Sequence, residues 1–196
     1  MARKRAPLVK APEKWLRADA ARNRARILDA AEQVFAAQGP TASTEEVARI
    51  ARVGIGTVFR HFPTKEVLLE TLLVVRLTKL AGEIDAVALD NEDNALFVSF
   101  VRLVEQAAKK RPVVAALAAA GVDVKALLTS AGRELHAAVG RLLLRAQKAG
   151  LVRKDVGVAE VLGILMGVAH AAEQGGWDKE MQGRVLEVIF DGLRRH

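Results

Sequence analysis

Few side chains in this 196-residue chain could carry covalent chemistry: it has no cysteine, no tyrosine, three serines and four histidines. Without a thiol, disulfides, thiolate metal sites and cysteine nucleophiles are excluded. His170 and Glu173, three apart on one helix face, are the best acid–base or metal-ligating pair, resembling half of a carboxylate-bridged site. A di-metal bundle centre needs several more inward carboxylates at matching spacing, and none follows. The pair therefore reads as a pocket or interface histidine with a neighbouring acid, and no catalytic residue, metal or cofactor is expected. Thr57 and His61 differ: they lie one helical turn apart with Arg60 and Lys65 close by, a set suited to hydrogen bonds with bases and phosphates.

The charge distribution points the same way. The formal net charge is +7. All of it resides in residues 1–26, where nine Lys and Arg, among them Arg3, Lys4, Arg5, Arg22 and Arg24, face only Glu13 and Asp19. From residue 27 onward acids and bases balance. A basic arm of this kind suits a polyanion. No apolar run approaches the roughly 20 residues of a membrane span, and nothing resembles a secretory signal, so a cytoplasmic protein without membrane partners is expected.

The elements that must position these groups are helices. Residues 1–17 carry two prolines and no apolar period and read as a flexible arm, with order beginning near Asp19. Ile27, Ala31, Val34 and Phe35 mark one face of a first helix that stops at Gly39-Pro40. Ser43 and Glu46 have capping-box spacing ahead of a second, short helix. Arg52-Val53-Gly54-Ile55-Gly56 is a tight connection, followed by a third short helix through Thr57–Phe62 that stops at Pro63. A long fourth helix starts at Lys65. Farther on, periodicity predicts a helix over 91–110 broken at Arg111-Pro112, a small one over 113–120, one from Asp123 to Ala149, an all-round apolar and so buried one over 158–174, and a last from Asp178. No strand pattern competes, so the fold class is all-α: residues 1–17 an arm, 18–66 an N-terminal three-helix domain, and 67–196 a helical bundle.

Two short helices joined by a tight turn form a helix-turn-helix, whose second helix enters the major groove by its N-terminal end. Ile55, Gly56 and Thr57 occupy that end, and Gly56 permits close backbone approach. Val47, Ala51, Val58 and Phe62 form the inward apolar set.

Ser43-Thr44-Glu45-Glu46-Val47-Ala48 and Val53-Gly54-Ile55-Gly56-Thr57-Val58-Phe59-Arg60-His61-Phe62-Pro63-Thr64-Lys65-Glu66 together strongly resemble the DNA-binding domain of the tetracycline-repressor (TetR) family. The resemblance covers about residues 20–70 and implies a dimeric repressor that binds a palindromic double-stranded operator and is released by an unidentified small-molecule inducer. It implies phosphate contacts at Thr44 and Lys65, DNA contacts from Thr57 and His61, and a base-facing position for Glu45. Arg52 stands where the family usually has glycine and Phe59 where it usually has tyrosine. Phe59 cannot hydrogen-bond a phosphate; Arg52, in a groove-facing turn, could offset that loss.

For the C-terminal two thirds the resemblance implies ligand binding and dimerisation. Apolar positions with a few polar ones suggest Phe97, Phe100, Val104 and Leu117, with Leu135, His136, Met166 and His170, for the cavity. Gly163, Gly167 and Ala171, four apart, strip one helix face to its backbone and suit a two-fold helix pairing beside Val185 and Ile189 of the last helix. The competing readings are a helical small-molecule carrier or a bundle metalloenzyme, neither binding DNA. Both leave the basic arm and the helix-turn-helix idle.

Overall fold

The computed structural model describes residues 13–90 and 94–195. The described chain is all-helical, as expected: α1 (Glu13–Gln38), α2 (Thr44–Ala51), α3 (Ile55–His61), α4 (Lys65–Asp90), α5 (Ala95–Ala119), α6 (Val124–Ala131), α7 (Arg133–Lys148), α8 (Val158–Gln174) and α9 (Lys179–Leu193), with a 3-10 turn at Gly39–Thr41. Arg3, Lys4, Arg5 and Lys10 of the basic arm lie outside the described residues.

Local chemistry sets the helix ends. Gly39, at φ 57°, takes the left-handed conformation that ends α1, and Pro40 starts the 3-10 turn. Ser43 caps α2, its Oγ accepting from the Glu46 amide at 3.2 Å. The return half of the capping box is replaced: the Glu46 carboxylate accepts from Arg49 Nε and Nη2 at 2.8 and 2.7 Å instead. Asp123 and Asp178 cap α6 and α9 by the same side chain-to-amide bond.

Four expectations are corrected. Helix α1 begins at Glu13 rather than near Asp19. Helix α5 runs unbroken through Pro112, because Val113, Ala116 and Leu117 beyond it are all buried and hold the next two turns in place. The helix expected from Asp123 to Ala149 is two helices, parted at Gly132, whose amide bonds to the Leu128 carbonyl at 2.8 Å. A Cβ at Gly132 would lie 2.6 Å from that same oxygen. Finally, α8 buries only Val161, Leu165 and Val168; its other side, with Gly163, Met166, Gly167 and His170, is exposed.

Two hydrophobic cores result. The N-terminal one joins Ile27, Val34 and Phe35 of α1, Val47 of α2, Val58 of α3, Phe62, and Leu68, Leu69 and Leu72 of α4. Each fully buried phenylalanine or leucine here contributes about 1.5–3 kcal/mol. The C-terminal one joins Ile84 of α4, Phe97 and Phe100 of α5, Val139, Leu142 and Leu143 of α7, Val161 and Leu165 of α8, and Leu186 of α9. Helices α4 and α5 belong to both: Leu72 and Ile84 lie in different cores, as do Leu117 and Phe100. An Arg76–Glu32 ion pair also ties α4 to α1, and Arg141–Asp85, at 2.6 Å, ties α7 to α4.

Candidate nucleic-acid interface and cavity

The turn between α2 and α3 is closed by backbone geometry. Arg52 sits at φ 53°, ψ 47°, and the Val53 amide reaches back to the Ala48 carbonyl at 3.0 Å, the bond that terminates a helix at a left-handed residue. A non-glycine residue in this conformation costs about 1 kcal/mol. Arg26 of α1 offsets it, donating from Nη2 to the carbonyls of Ala51 and Arg52. Sequence reading gave Arg26 no role beyond its charge, since its partners are main-chain atoms 25 and 26 residues away.

Helix α3 divides cleanly. Val58 is buried and Phe62, its C-cap, is buried beside it, anchoring the helix against Val47 and Ala51. On the outside Ile55 and Phe59 are 38% and 43% exposed, and Gly56 and Arg60 are open to solvent. A Cβ at Gly56 would meet nothing within 4 Å, so the backbone there faces free space. Thr57 and His61 are half-buried at the edge of the same surface. Thr44 is the first residue of α2, half-buried, with Ser43 rather than Thr44 as the cap; Glu45 is exposed.

The cations around this surface are held in different ways. Arg52 and Arg60 are exposed. Arg22 pairs with Asp19 on α1, and Arg24 lies over the Phe62 ring at 5.3 Å. Lys65 donates to the Pro40 carbonyl at 3.0 Å with its ammonium 5.4 Å from the Phe35 ring centroid. Arg49 is taken by Glu46, whose carboxyl it holds below the usual range through that hydrogen bond.

A cavity of about 1080 Å³ opens among α4–α8. Leu135, His136, Met166 and His170 line it. The other four candidates lie elsewhere. Phe97 and Phe100 are buried in the C-terminal core against Phe190, with ring centroids 4.7 and 5.6 Å away, and Val104 packs in the same core. Leu117 belongs to the N-terminal core. Glu173, paired with His170 in the sequence, lines it too, but sequence reading missed the cations Lys110, Arg111, Lys125 and Arg133 beside it. Only the packing of α5, α6, α7 and α8 brings these together.

On α8, a Cβ at either Gly163 or Gly167 would meet nothing within 4 Å, and Ala171 is half-buried one turn on. Val185 and Ile189 of α9 are partly buried against the C-terminal core, whereas Val188 between them is 73% exposed and Met166 on α8 is 66% exposed. Among the described residues no three metal-ligating side chains converge, and no helix is long and apolar enough to cross a membrane.

The arginines of α1, a capped short helix α2 and a second short helix with an outward face define a helix-turn-helix DNA-binding protein. Comparison with known proteins gives the family. Residues 27–72 match the profile described as bacterial regulatory proteins, tetR family, and residues 92–195 match that of the transcriptional regulator SbtR-like C-terminal domain. The chain is 24% identical over 188 residues to the HTH-type transcriptional regulator UidR of Escherichia coli K12, spanning 91% of this chain and 93% of that one. Over 60 residues it is 45% identical to the uncharacterized HTH-type transcriptional regulator TtgW of Pseudomonas putida, a match covering 30% of this chain and 45% of that relative. The solved structure of a TetR transcription regulatory protein from Mycobacterium vanbaalenii superposes with a TM-score of 0.76 at 39% identity, covering 92% of this chain and 99% of that one. A TetR transcriptional regulator from Streptomyces coelicolor gives 0.71 at 29% identity, over 87% and 98%. The chain belongs to the TetR family of helix-turn-helix transcriptional regulators.

Proposed function

We propose that the protein is a repressor that binds a palindromic operator as a two-fold dimer and leaves it when a small molecule fills the α4–α8 cavity. The observation that carries the DNA-binding half is the division of α3: Val58 and Phe62 are anchored inside while Ile55, Gly56, Phe59 and Arg60 are open outside. Thr57, His61 and Glu45 then read bases, whereas Thr44, Arg52, Arg60 and Lys65, with Arg22 and Arg24 on α1, position the protein on phosphates. The exposed, side-chain-free strip at Gly163 and Gly167 supports α8 as the two-fold contact, and Val188 of α9 is exposed as well. One recognition helix buries too little surface for tight binding, and two of them about 34 Å apart match successive major grooves.

Selection of bound sequences from random duplex DNA tests this reading. Recovery of an inverted repeat fits it. Recovery of no duplex by a protein that still takes small molecules would make it a carrier. Removal of residues 1–12 asks what the arm does: each phosphate that the shortened chain no longer neutralises lowers the slope of log affinity against log salt by roughly 0.9.

A further inference from the structure

The cavity's walls are apolar, with Leu103, Val114, Leu128, Leu135, Leu162 and Leu165 among them, yet its charged lining is lopsided. Four cations, Lys110, Arg111, Lys125 and Arg133, face one carboxylate, Glu173. That carboxylate is already taken, because Arg111 pairs with it. Lys125 and Arg133 are exposed, but Lys110 is half-buried and makes no hydrogen bond or ion pair among the described residues.

Nor is an acid free on its other side. Lys110 also lines a smaller neighbouring cavity of about 230 Å³ that contains Glu32 and Glu83. Glu32 is paired with Arg76, and Glu83 lies 4.0 Å from Lys79. Burial first, and the nearby Arg76 guanidinium second, push the Lys110 ammonium below its ordinary pKa. A partly desolvated cation with no counter-ion costs stability, and side chains of this kind are normally paired.

We propose that the ligand of this cavity is an amphipathic anion, an apolar body carrying one acid group, and that Lys110 is the counter-ion of that group. The proposal rests on the reading that this cavity is the effector site. A neutral ligand of the same body would leave Lys110 unpaired inside a filled cavity, where displaced water can no longer solvate it. A cationic ligand would add like charge to a lining that already has three more cations than acids. An acid group answers the charge excess and the solitary ammonium together, and the apolar walls take the rest of the molecule.

Three probes of one chain length, decanoate, decanol and decylammonium, separate the possibilities when titrated calorimetrically into the full chain. Decanoate is expected to bind at least about tenfold tighter than decanol, with decylammonium weakest. Lys110→Met and, as a polar second variant, Lys110→Gln should abolish the preference for decanoate while leaving decanol binding in place; Lys110→Arg should retain the preference. Without ligand, Lys110→Met should melt at a higher temperature than the parent, because the unpaired charge is gone. Equal affinity for decanoate and decanol, no binding of any of the three, or a preference that survives both neutral variants would overturn the proposal. Operator retention without any probe, measured on the same preparations, keeps the two readings apart: intact DNA binding with no anion preference removes this proposal alone, and absent DNA binding removes the regulator reading alone.

Discussion

Arg26 of α1 donates to the main-chain carbonyl of Arg52, 3.2 Å away at the end of α2, and to that of Ala51 before it. One guanidinium thus satisfies carbonyls that a helix terminus leaves free and fastens the helix-turn-helix to the helix behind it. Arg26→Ala should cost about 1–3 kcal/mol of stability, the range for charge-assisted hydrogen bonds and the carbonyls they leave behind. Urea denaturation checks this, and an unchanged midpoint would show that water replaces the guanidinium.

Arg52 itself predicts a trade between stability and DNA affinity. Arg52→Gly relieves the left-handed strain, for a net gain of roughly 0.5 kcal/mol after the extra freedom of glycine in the unfolded chain is subtracted. If its exposed guanidinium touches phosphate, the same change lowers the salt dependence of operator binding by about 0.9 per subunit. A variant that melts higher and binds DNA as before would make Arg52 a turn residue only.

Substitutions on the outer surface should fall into two kinds. Thr57→Ala and His61→Ala should weaken the operator by roughly 1–3 kcal/mol each and random duplex much less. Lys65→Ala should weaken both alike, and it should also lower stability modestly, since its ammonium ties α4 to the Pro40 carbonyl. Fluorescence anisotropy on both duplexes at two salt concentrations distinguishes the kinds; uniform losses across the three variants would reject the division.

Gly167→Leu should produce a folded subunit that no longer pairs. A Cβ there has no neighbour within 4 Å in its own chain, and the position is exposed. Against a two-fold mate it would hold the helices apart at about 1–3 kcal/mol per site, entered twice. Sedimentation at micromolar concentration, with circular dichroism as the check on folding, reads the outcome. A stable dimer with full operator affinity would place the subunit contact elsewhere.

The DNA-binding half was legible because its signals are local. Ser43, the Gly39-Pro40 stop, Pro63 and the alternation of inward Val58 and Phe62 with outward Ile55 and Phe59 need only a few residues of context. Pro112 and Gly132 misled for the opposite reason. Whether a proline ends a helix depends on what holds the following turns, and the burial of Val113 and Leu117 is a tertiary fact. The run from Asp123 to Ala149 keeps its apolar period across the break, and only the fold shows that position 132 has no room for a Cβ. Phe97 and Phe100 drew attention as aromatic pocket walls, but aromatic rings are also what a core buries, and here they close on Phe190. Lys110 was invisible because a lysine's partners, or their lack, are set by helices far apart in the chain.

The continuity of α5 across Pro112 has a mechanical meaning. At 25 residues the helix is about 37 Å long, a stiff beam with one end bedded in the C-terminal core and the other seated against the Gly39–Thr41 turn and α1. A beam pivoting near its middle moves its two ends in opposite directions, and a tilt of about 5° displaces each by roughly 1.5 Å. Lys110 and Arg111 sit on this beam beside the cavity, immediately before the proline. The cavity thus lies along the middle of a rigid helix whose two ends are set in different cores, Phe100 in one and Leu117 in the other.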